Sequence, residues 1–525
     1  MDFDTFIDEF KKYAARPEQE TASGTFHFIR RAFRSENNEV NPQLLNLVKK
    51  AFDFSKSAHE GQKRMSGEPY FQHSYKTALK LIEWRLDPQT IIAGLLHDTI
   101  EDTPYDLEKI KNEFGEEISF LVEGVTKLGH LKYRGAKARA ENLRKMILAL
   151  SQDLRVVLIK LADRLHNMKT LSAIPPQKQK RIALETYEIY ATLAYRLGMQ
   201  GLAGELQDLS FPYLYPEEYK WLTENVKERY EERVKYLEKV RPILEKALGE
   251  NGIEIIKIDS RAKRYASLYR KLKRHEMNLD LIYDLVAERI IVKTIEDCYA
   301  ALGIIHQMWP PLPGRIKDYI ALPKPNGYQS LHTTVFCVDN KPTEFQIRTQ
   351  KMNEEAELGI AAHWVYEEEK ENSESGEKKV VFGKKRELGW VKQLREWQKD
   401  FPDSEEFIDS LKIDFFKDRI FAVTPKGEVI DLPAESTPID FAYHVHSEIG
   451  DQAAGARVNN KIAPLDYKLS SGDVVEIIIQ KNKKPSESWL SFVKSEAARK
   501  KIQAYLREKK SVKMEPHKPM KRGKR

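Results

Sequence analysis

The spacing of apolar residues changes midway along the chain, and this change constrains the fold more than any other feature. From about residue 40 to 205, apolar residues recur every three or four positions, as in amphipathic helices. After Gly252, short β-branched runs such as EIIKI, RIIVK and TTVFCV are typical of strands. A chain of 525 residues is also too long for one hydrophobic core. We therefore predict several domains, of which the first is all-α and the next is α+β.

Composition shifts suggest where these domains begin and end. A highly charged pattern over residues 217–248 predicts one long helix, and the Glu-, Lys-, Ser- and Gly-rich stretch 367–379 is typical of a flexible insertion. Beyond it, strand-like runs alternate with turns such as PKG and SSGD. The predicted division is a helical domain over 1–205, a linking helical region over 206–250, an α+β domain over 251–366, a charged linker and helix over 367–412, a small β-rich domain over 413–481, and a C-terminal helix with a basic tail over 482–525.

Several classes of protein are disfavoured by composition. No run approaches the roughly 20 apolar residues of a membrane span, and the start MDFDTFIDEF does not resemble a signal peptide. We therefore expect a cytoplasmic protein with no membrane partner. The only two cysteines, Cys298 and Cys337, are too few for a disulfide framework and are predicted to be core residues. The net charge of +7 comes partly from the tail and is weak support for nucleic-acid binding.

The helical region contains a candidate metal site. In DPQTIIAGLLHDTIED, Asp87 can cap a helix whose apolar residues are buried, which would hold His97 and Asp98 at its end. In DLRVVLIKLADRLHNM, Asp163 and Asn167 lie four residues apart beside a buried stripe. A buried carboxylate is costly unless it is paired, and a divalent cation would satisfy converging Asp and His side chains. The pattern therefore favours a metal site.

A plainer interpretation is that the His-Asp dipeptide arises by chance and that Asp163 pairs with Arg164 or Arg134. Five segments, in order, argue against it: HEGQKRMSGEPYFQHS, GLLHDTIEDT, GVTKLG, KLADRLHNMKT and YEIYATLAYRLGM. Together they resemble the HD-type metal-dependent phosphohydrolases and, more closely, the helical hydrolase domain of the RelA/SpoT alarmone family.

This resemblance implies a role for each matching residue. His73, His97, Asp98 and Asp163 would bind manganese, and Glu101 and Asp102 would position or activate the attacking water. Contacts to the guanosine nucleotide would come from Arg64, Ser66 and Asn167. One departure is Ser74, where the family often has proline.

A second constellation lies in the α+β region. From Arg261 to Arg274, the segment KIDSRAKRYASLYRKLKRH contains seven lysines and arginines and no acid, which predicts a positive face for phosphate. Asp284 precedes a β-branched run, and Glu344 alternates with Gln346 and Arg348 along one face of a predicted strand. Two carboxylates there could share magnesium with triphosphate oxygens. Taken singly, an acid on a strand is more often simply an exposed surface group.

The motif LPGRIKDYIALPKPNGYQSLHTTV decides between these interpretations, because it resembles the synthetase core of the same family, whose fold is nucleotidyltransferase-like. The similarity covers nearly all of residues 253–366. It implies that Asp284 and Glu344 hold Mg²⁺ and that Glu344 accepts a proton from the attacking 3′-hydroxyl. Tyr328 would stack on guanine. The other implied contacts are Arg261, Lys263, Ser267, Arg315 and Lys317 for ATP, and Lys324, Asn326, Gln329 and His332 for the acceptor guanosine nucleotide.

Residues 420–479 resemble a TGS domain, which implies a small β-grasp-like fold with binding and regulatory roles and, as candidate partners, the ribosome or tRNA. His444 and His446 are two residues apart in a predicted helix, so they should point to different faces and not form a metal pair. Longer relatives continue into regulatory domains that end in an ACT domain, to which nothing in this sequence corresponds.

Together these resemblances imply a bifunctional enzyme of the stringent response. It would transfer pyrophosphate from ATP to the 3′-hydroxyl of GDP or GTP, and remove that diphosphate from (p)ppGpp at a separate site. The basic RIKD segment resembles the bifunctional members, since synthetase-only members have an acidic motif there. Two alternatives stay open: a hydrolase whose synthetase pocket only senses nucleotides, and a ribosome- or RNA-binding regulator.

Overall fold

The computed structural model describes residues 3–15, 41–129, 149, 152–282, 284–324, 326–363, 419–470 and 472–512. The chain divides into two compact units, Met1–Glu396 and Trp397–Arg525, which we describe separately. The predicted linker and helix over 367–412 and the basic end of the chain after residue 512 lie outside the described residues.

The first unit begins with the predicted all-helical region. Its α-helices are α1 (Phe3–Ala15), α2 (Pro42–Ala58), α3 (Phe71–Glu83), α4 (Pro88–Leu96), α5 (Thr99–Asp102), α6 (Leu107–Phe114), α7 (Glu116–Gly129), α8 (Leu154–Lys169), α9 (Pro176–Glu185), α10 (Ala191–Arg196), α11 (Gln200–Leu214) and α12 (Pro216–Glu250). A 3-10 turn, Leu171–Ala173, follows α8, and a π-helical turn, Thr186–Tyr190, joins α9 to α10.

Helices α3, α4 and α8 form the centre of this region, and their sequences explain why. Asp87 caps α4 by accepting from the Thr90 amide at 2.9 Å, as predicted, and each residue of α4 except Gln89 is buried. Asp153 caps α8 in the same way at Arg155, and the stripe predicted to be buried in α8 is at most 2% exposed. Because α3 packs against both helices, side chains from all three helices can meet.

Helix α12 joins the helical region to the α+β domain. Its bounds agree closely with the predicted 217–248. Leu222 and Val226 pack with the helix that follows β1, whereas Leu237 and Leu244 pack on the sheet described next. Although α12 is 35 residues long, neither it nor any other helix in the described part of the chain is apolar enough to cross a membrane.

A five-stranded mixed sheet forms the α+β domain, in the order β1-β2-β5-β4-β3, with only β2 and β5 parallel. One face, including Ile290 and Ile347, packs on α12, and the other carries Glu344, Gln346 and Arg348, as predicted. The elements are β1 (Ile255–Ala262), α13 (Tyr265–Arg274), β2 (Val286–Val292), α14 (Ile295–Met308), β3 (Lys317–Asp318), β4 (Leu331–Phe336), β5 (Pro342–Thr349) and α15 (Gln350–Leu358), with 3-10 turns at Leu279–Leu281, Val338–Asn340 and Gly359–His363.

Two expectations about this domain need correction. The basic segment from Lys257 does not form one face, because residues up to Ala262 pair with β2 and only Tyr265–Arg274 is helical. Cys337 follows β4 instead of lying within it. Both cysteines are nevertheless buried, as predicted.

The second unit is small and β-rich. A parallel bridge between Val423 and Val474 links its two sheets, β6-β7 and β10-β8-β9, around Phe441, which agrees with the predicted β-grasp-like fold. The elements are β6 (Arg419–Val423), β7 (Val429–Pro433), α16 (Pro438–Val445), α17 (Ser447–Asp451), β8 (Ala453–Val458), β9 (Lys461–Ala463), β10 (Val475–Ile479), a 3-10 turn (Glu487–Ser491) and α18 (Glu496–Val512). The prediction that His446 is helical is wrong, since α16 ends at Val445 and His446 adopts an extended backbone that caps α17.

Within the first unit, Gly359 should be a sensitive position. Its φ is +57°, and a Cβ atom there would lie 2.4 Å from the Leu197 carbonyl oxygen, so the backbones of the helical region and the α+β domain would have to separate. We expect Gly359→Ala to lower the free energy of unfolding by more than about 2 kcal/mol. The matched control Gly252→Ala, also at positive φ but with open space around it, should cost about 1 kcal/mol. Denaturant unfolding would compare the two, and equal losses would contradict the role of this contact.

Candidate functional site

Three helices bring the predicted metal ligands together. His73 lies on α3, His97 and Asp98 directly follow α4, and Asp163 lies on α8. The ligand atoms of His73, His97 and Asp163 all lie within 4.8 Å of one another. The Asp98 carboxylate completes the cluster, with oxygens 3.1 Å from Nε2 of His97 and 3.3 Å from Nε2 of His73. The predicted set therefore forms one buried cluster that could hold a divalent metal ion.

The electrostatics of the cluster suit a cation. Burial lowers the pKa of His97. Burial also opposes ionisation of Asp98 and Asp163, but His97 lowers the pKa of Asp98, and Lys160 lowers that of Asp163, below their usual values. The pKa of His73 is raised, because its two carboxylate partners outweigh its burial. Imidazole nitrogens and carboxylate oxygens that converge in this way are common ligands of divalent transition metals.

Asp163 does not form the arginine pair of the plainer interpretation. Its partner is Lys160, with Nζ 2.5 Å from Oδ2, and Asn167 donates to its other oxygen. Arg164 instead donates to the Tyr190 hydroxyl at 2.9 Å, and Arg134 lies outside the described residues.

The predicted water-positioning acids lie on α5, directly after Asp98. Although Glu101 reaches solvent, partial desolvation raises its pKa to about 7, so it can exchange a proton near neutral pH. Asp102 accepts a 2.5 Å hydrogen bond from the Tyr70 hydroxyl, which also lies 3.1 Å from Asp98. The sequence analysis did not predict that Tyr70 contacts these acids. The feature of the sequence that points to Tyr70 is its position three residues before the predicted ligand His73.

Arg64 and Asn167, two of the three predicted nucleotide contacts, lie at the edge of this cluster. Arg64 donates to the side-chain oxygen of Asn167, and Ser66 is exposed at the tip of the same loop as Arg64. The sequence analysis did not single out His166. Its Nδ1 lies 3.1 Å from a guanidinium nitrogen of Arg64 and 2.9 Å from Nδ1 of His73.

The second predicted pair of acids lies in the α+β domain, where both carboxylates already have partners. Asp284 accepts from Lys263 at 2.5 Å and from Lys271 at 2.6 Å. These lysines outweigh its burial and lower the pKa of Asp284 to about 2. The expected positive face is therefore partly neutralised. Glu344 lies 3.2 Å from Nδ1 of His332 and accepts from Gln346 at 3.1 Å.

A chain of contacts leads from Glu344 to the predicted guanine platform. Nε2 of His332 lies 2.8 Å from the hydroxyl of Tyr328, whose side chain is only 6% exposed. Nζ of Lys324 lies 4.9 Å from the ring centroid of Tyr328, and burial lowers the pKa of Lys324 to about 8. A guanine base would have to displace one of the side chains that now cover this ring.

The remaining predicted contacts differ in their surroundings. Asn326 and Gln329 donate to the backbone carbonyls of Tyr195 and Ile320, both at 3.2 Å. The others are divided between the two edges of the sheet. Arg261 is partly buried on β1, and Ser267 on the following helix α13 accepts from Arg270 at 3.4 Å, whereas Lys317 on β3 and the preceding Arg315 are exposed at the opposite edge.

Three known family profiles match separate parts of the chain. The profile of the HD domain matches residues 51–200, that of the region found in RelA/SpoT proteins matches residues 260–371, and that of the TGS domain matches residues 420–479. The fold and its two clusters thus define a multidomain protein that combines an HD domain, a synthetase-type domain and a TGS domain.

Curated proteins that resemble the chain cover it almost from end to end. A guanosine-3′,5′-bis(diphosphate) 3′-pyrophosphohydrolase of Aquifex aeolicus is 48% identical over 467 residues, covering 89% of this chain and 65% of that protein. A GTP pyrophosphokinase of Myxococcus xanthus is 45% identical, with coverage of 88% and 61%. The bifunctional (p)ppGpp synthase/hydrolase SpoT of Escherichia coli K12 is 45% identical, with coverage of 90% and 67%. The chain belongs to the RelA/SpoT family and spans about two thirds of the length of these relatives.

Metal binding should stabilise the cluster, because an ion that binds only the folded state shifts the unfolding equilibrium. At a free Mn²⁺ concentration about 100 times the Kd, we expect the free energy of unfolding to rise by about 2.7 kcal/mol. His97→Gln should remove most of this gain, whereas Asp284→Ala should keep it. Thermal unfolding combined with counting of bound manganese would test this, and an equal gain in His97→Gln would contradict the ligand assignment.

Proposed function

We propose that the chain is a bifunctional alarmone enzyme of the stringent response. In this proposal the HD domain, residues 1–205, hydrolyses (p)ppGpp to GDP or GTP and pyrophosphate, and the synthetase domain, residues 251–366, makes (p)ppGpp from ATP and GDP or GTP. The observation that carries it is that two distinct ionisable clusters, centred on His73 and on Asp284, lie in separate domains of one compact unit. The names of the relatives support the same pair of activities.

For hydrolysis, His73, His97, Asp98 and Asp163 would hold Mn²⁺, and their convergence fits that ion. A bound divalent ion supplies Lewis acidity toward phosphoryl oxygen and lowers the pKa of water. Glu101 would take the proton of the attacking water, since its pKa lies near neutrality. Asp102 would orient that water and would itself be held in place by Tyr70.

The hydrolase would bind its substrate beside this cluster. Water would attack the phosphorus that is bonded to the ribose 3′-oxygen, and the proton held by Glu101 would return to that oxygen as it leaves. Arg64 and Asn167, which already contact each other, would bind the guanosine nucleotide together with the exposed Ser66. These groups offer a guanidinium fork, an amide and a hydroxyl to phosphate, ribose and base.

For synthesis, Asp284 and Glu344 would hold Mg²⁺ together with ATP. Their ionised carboxylates suit that ion, although Asp284 now contacts two lysines. Triphosphate oxygens would attract Lys263 and Lys271 and so free the carboxylate of Asp284 for the metal. The other cations proposed for ATP are Arg261, Arg315 and Lys317, with Ser267 as a hydroxyl partner.

The acceptor reaction would take place beside Glu344. Its carboxylate would accept the proton of the 3′-hydroxyl while that oxygen attacks the β-phosphorus of ATP, and the bond to the α-phosphate oxygen would break to release AMP. His332 would orient Glu344, at 3.2 Å. Lys324, Asn326 and Gln329 would bind the acceptor, with guanine against Tyr328. Asn326 and Gln329 would then exchange their backbone contacts for the nucleotide.

The TGS domain would regulate these activities through ribosome or tRNA binding, in the cytoplasm where the nucleotides are available. Both reactions together would only convert ATP into AMP and pyrophosphate. We therefore expect conformational control to favour one site at a time.

Two alanine variants should separate the activities. We expect Asp98→Ala to lower (p)ppGpp hydrolysis at least about a hundredfold by removing a metal ligand, and to leave synthesis unchanged. Asp284→Ala should do the reverse. Chromatography would follow ATP with GDP in Mg²⁺, and guanosine tetraphosphate in Mn²⁺.

Other results of that assay would favour the alternatives. A wild-type protein that only hydrolyses would support the sensor interpretation of the second domain. RNA binding with a steep salt dependence and no nucleotide turnover would support the regulator.

Glu344→Gln tests the general base without changing the size of the side chain. We expect kcat for synthesis to fall between about a hundredfold and ten-thousandfold, because the amide cannot accept the proton, while the KM for GDP changes little. The control is Glu296→Gln, an exposed acid on α14 away from the cluster, which should match the wild type. A kcat for Glu344→Gln within tenfold of the wild type would rule out this role.

A further inference from the structure

Arg348 on β5 is an unusual residue in this fold. Its side chain is fully buried, and none of its three guanidinium nitrogens has a hydrogen-bond partner among the residues that the structure describes. By strand alternation, Arg348 lies on the same sheet face as Glu344 and Gln346. A charged residue is therefore buried, without pairing, on the face that carries the proposed synthetase site.

The surroundings make this burial more costly. Desolvation lowers the pKa of Arg348, and the charges of Arg289 and Arg261 lower it further. Glu357 favours the charged form, but its carboxylate already accepts from Arg289 at 3.0 Å. An unpaired buried charge costs several kcal/mol, so packing alone would favour an apolar side chain here.

Arg289, on the same face of the sheet, is an arginine whose charge is fully paired and therefore serves as a comparison for Arg348. It forms two hydrogen bonds with Asp259, at 2.7 and 2.8 Å, in addition to its bond with Glu357. Asp259 lies directly opposite Arg289 in the pairing of β1 with β2. Arg348 has no such partner in the adjacent strands, where Ile291 is its neighbour on β2.

Within the described part of the chain, Arg348 makes a specific contact with Tyr328. The guanidinium carbon lies 5.8 Å from the ring centroid, within the range of a cation–π interaction. Such an interaction is stronger when the cation is desolvated, as it is here. A cation beside the ring also draws π-electron density toward itself, which lowers the repulsion between the ring and an electron-rich purine on its other face.

We propose that Arg348 is a positioning residue for the purine of the acceptor nucleotide. It would hold the Tyr328 ring in place and polarise its π-electrons. This inference rests on the proposed synthetase function and deepens it. Arg348 is not expected to touch the nucleotide, because its side chain is fully buried. Its unpaired charge destabilises the fold and is retained for binding, as is common for strained groups at functional sites.

The test is a comparison of stability with acceptor binding. In Arg348→Met, a similar volume without charge, we expect a melting temperature equal to or above that of the wild type and a KM for GDP raised about tenfold at saturating ATP. The KM for ATP and the hydrolysis of guanosine tetraphosphate should stay within twofold. Arg348→Lys, which keeps a cation near Tyr328, should give an intermediate KM for GDP.

Arg289→Met is the matched control, because it removes a paired arginine from the same face. It should lower the melting temperature, since Asp259 loses its two hydrogen bonds. A contrary outcome is that Arg348→Met also lowers the melting temperature and raises the KM values for ATP and GDP by the same factor. In that case Arg348 is structural and our inference is wrong. An unchanged KM for GDP would overturn it as well. If Arg348→Met does not fold, Arg348→Lys decides, since an unchanged KM for GDP with a lower melting temperature would show a structural role.

The same assay separates this inference from the function on which it rests. A wild type that makes guanosine tetraphosphate while Arg348→Met behaves identically would contradict the inference alone. A wild type that makes no product from ATP and GDP would contradict the proposed synthetase function, and the inference would fall with it.

Discussion

Buried charge is the constraint on which both candidate sites depend. A carboxylate or an imidazolium that is removed from water must find an opposite charge, a hydrogen bond or a metal ion. In the helical region, the apolar α4 and α8 hold His97 and Asp163 where neither reaches solvent, and the third helix brings His73 to them. The rigid helices therefore fix the ligand positions before any ion binds, which is the preorganisation that a metal site requires.

In the α+β domain, lysine and histidine side chains pair with the partly buried carboxylates. Asp284 stays ionised because two lysines face it, and Glu344 is held by His332 and Gln346. Alternation along β5 separates this polar face from the apolar face on α12. One strand thus contributes to both the core and the site. When ATP binds, its phosphates would attract the two lysines, and the carboxylate of Asp284 would then be free to bind Mg²⁺.

Local signals predicted the parts of the molecule that depend on neighbouring residues. The cap at Asp87 and the apolar run after it predicted where α4 would end, and alternation predicted that Glu344 and Gln346 share a face. The family motifs then predicted a ligand set, and the structure brings the side chains of that set close together. His446 was misplaced because its helix ends one residue earlier, a difference that periodicity cannot detect. The pairing of Asp163 with Lys160 and the contact of Tyr70 with Asp102 depend on side-chain direction and on how helices cross, which spacing along the chain does not encode.

The central claim is that one chain moves a diphosphate onto a ribose 3′-oxygen and takes it off again at a second site. Its most direct test uses ATP that carries ³²P at the β-phosphate, with GDP and Mg²⁺, followed by removal of ATP and addition of Mn²⁺. We expect the label to appear first in guanosine tetraphosphate and then only in free pyrophosphate, with unlabelled GDP recovered. Label that stays in ATP, that is released as orthophosphate, or that persists in guanosine tetraphosphate after Mn²⁺ is added would contradict the account.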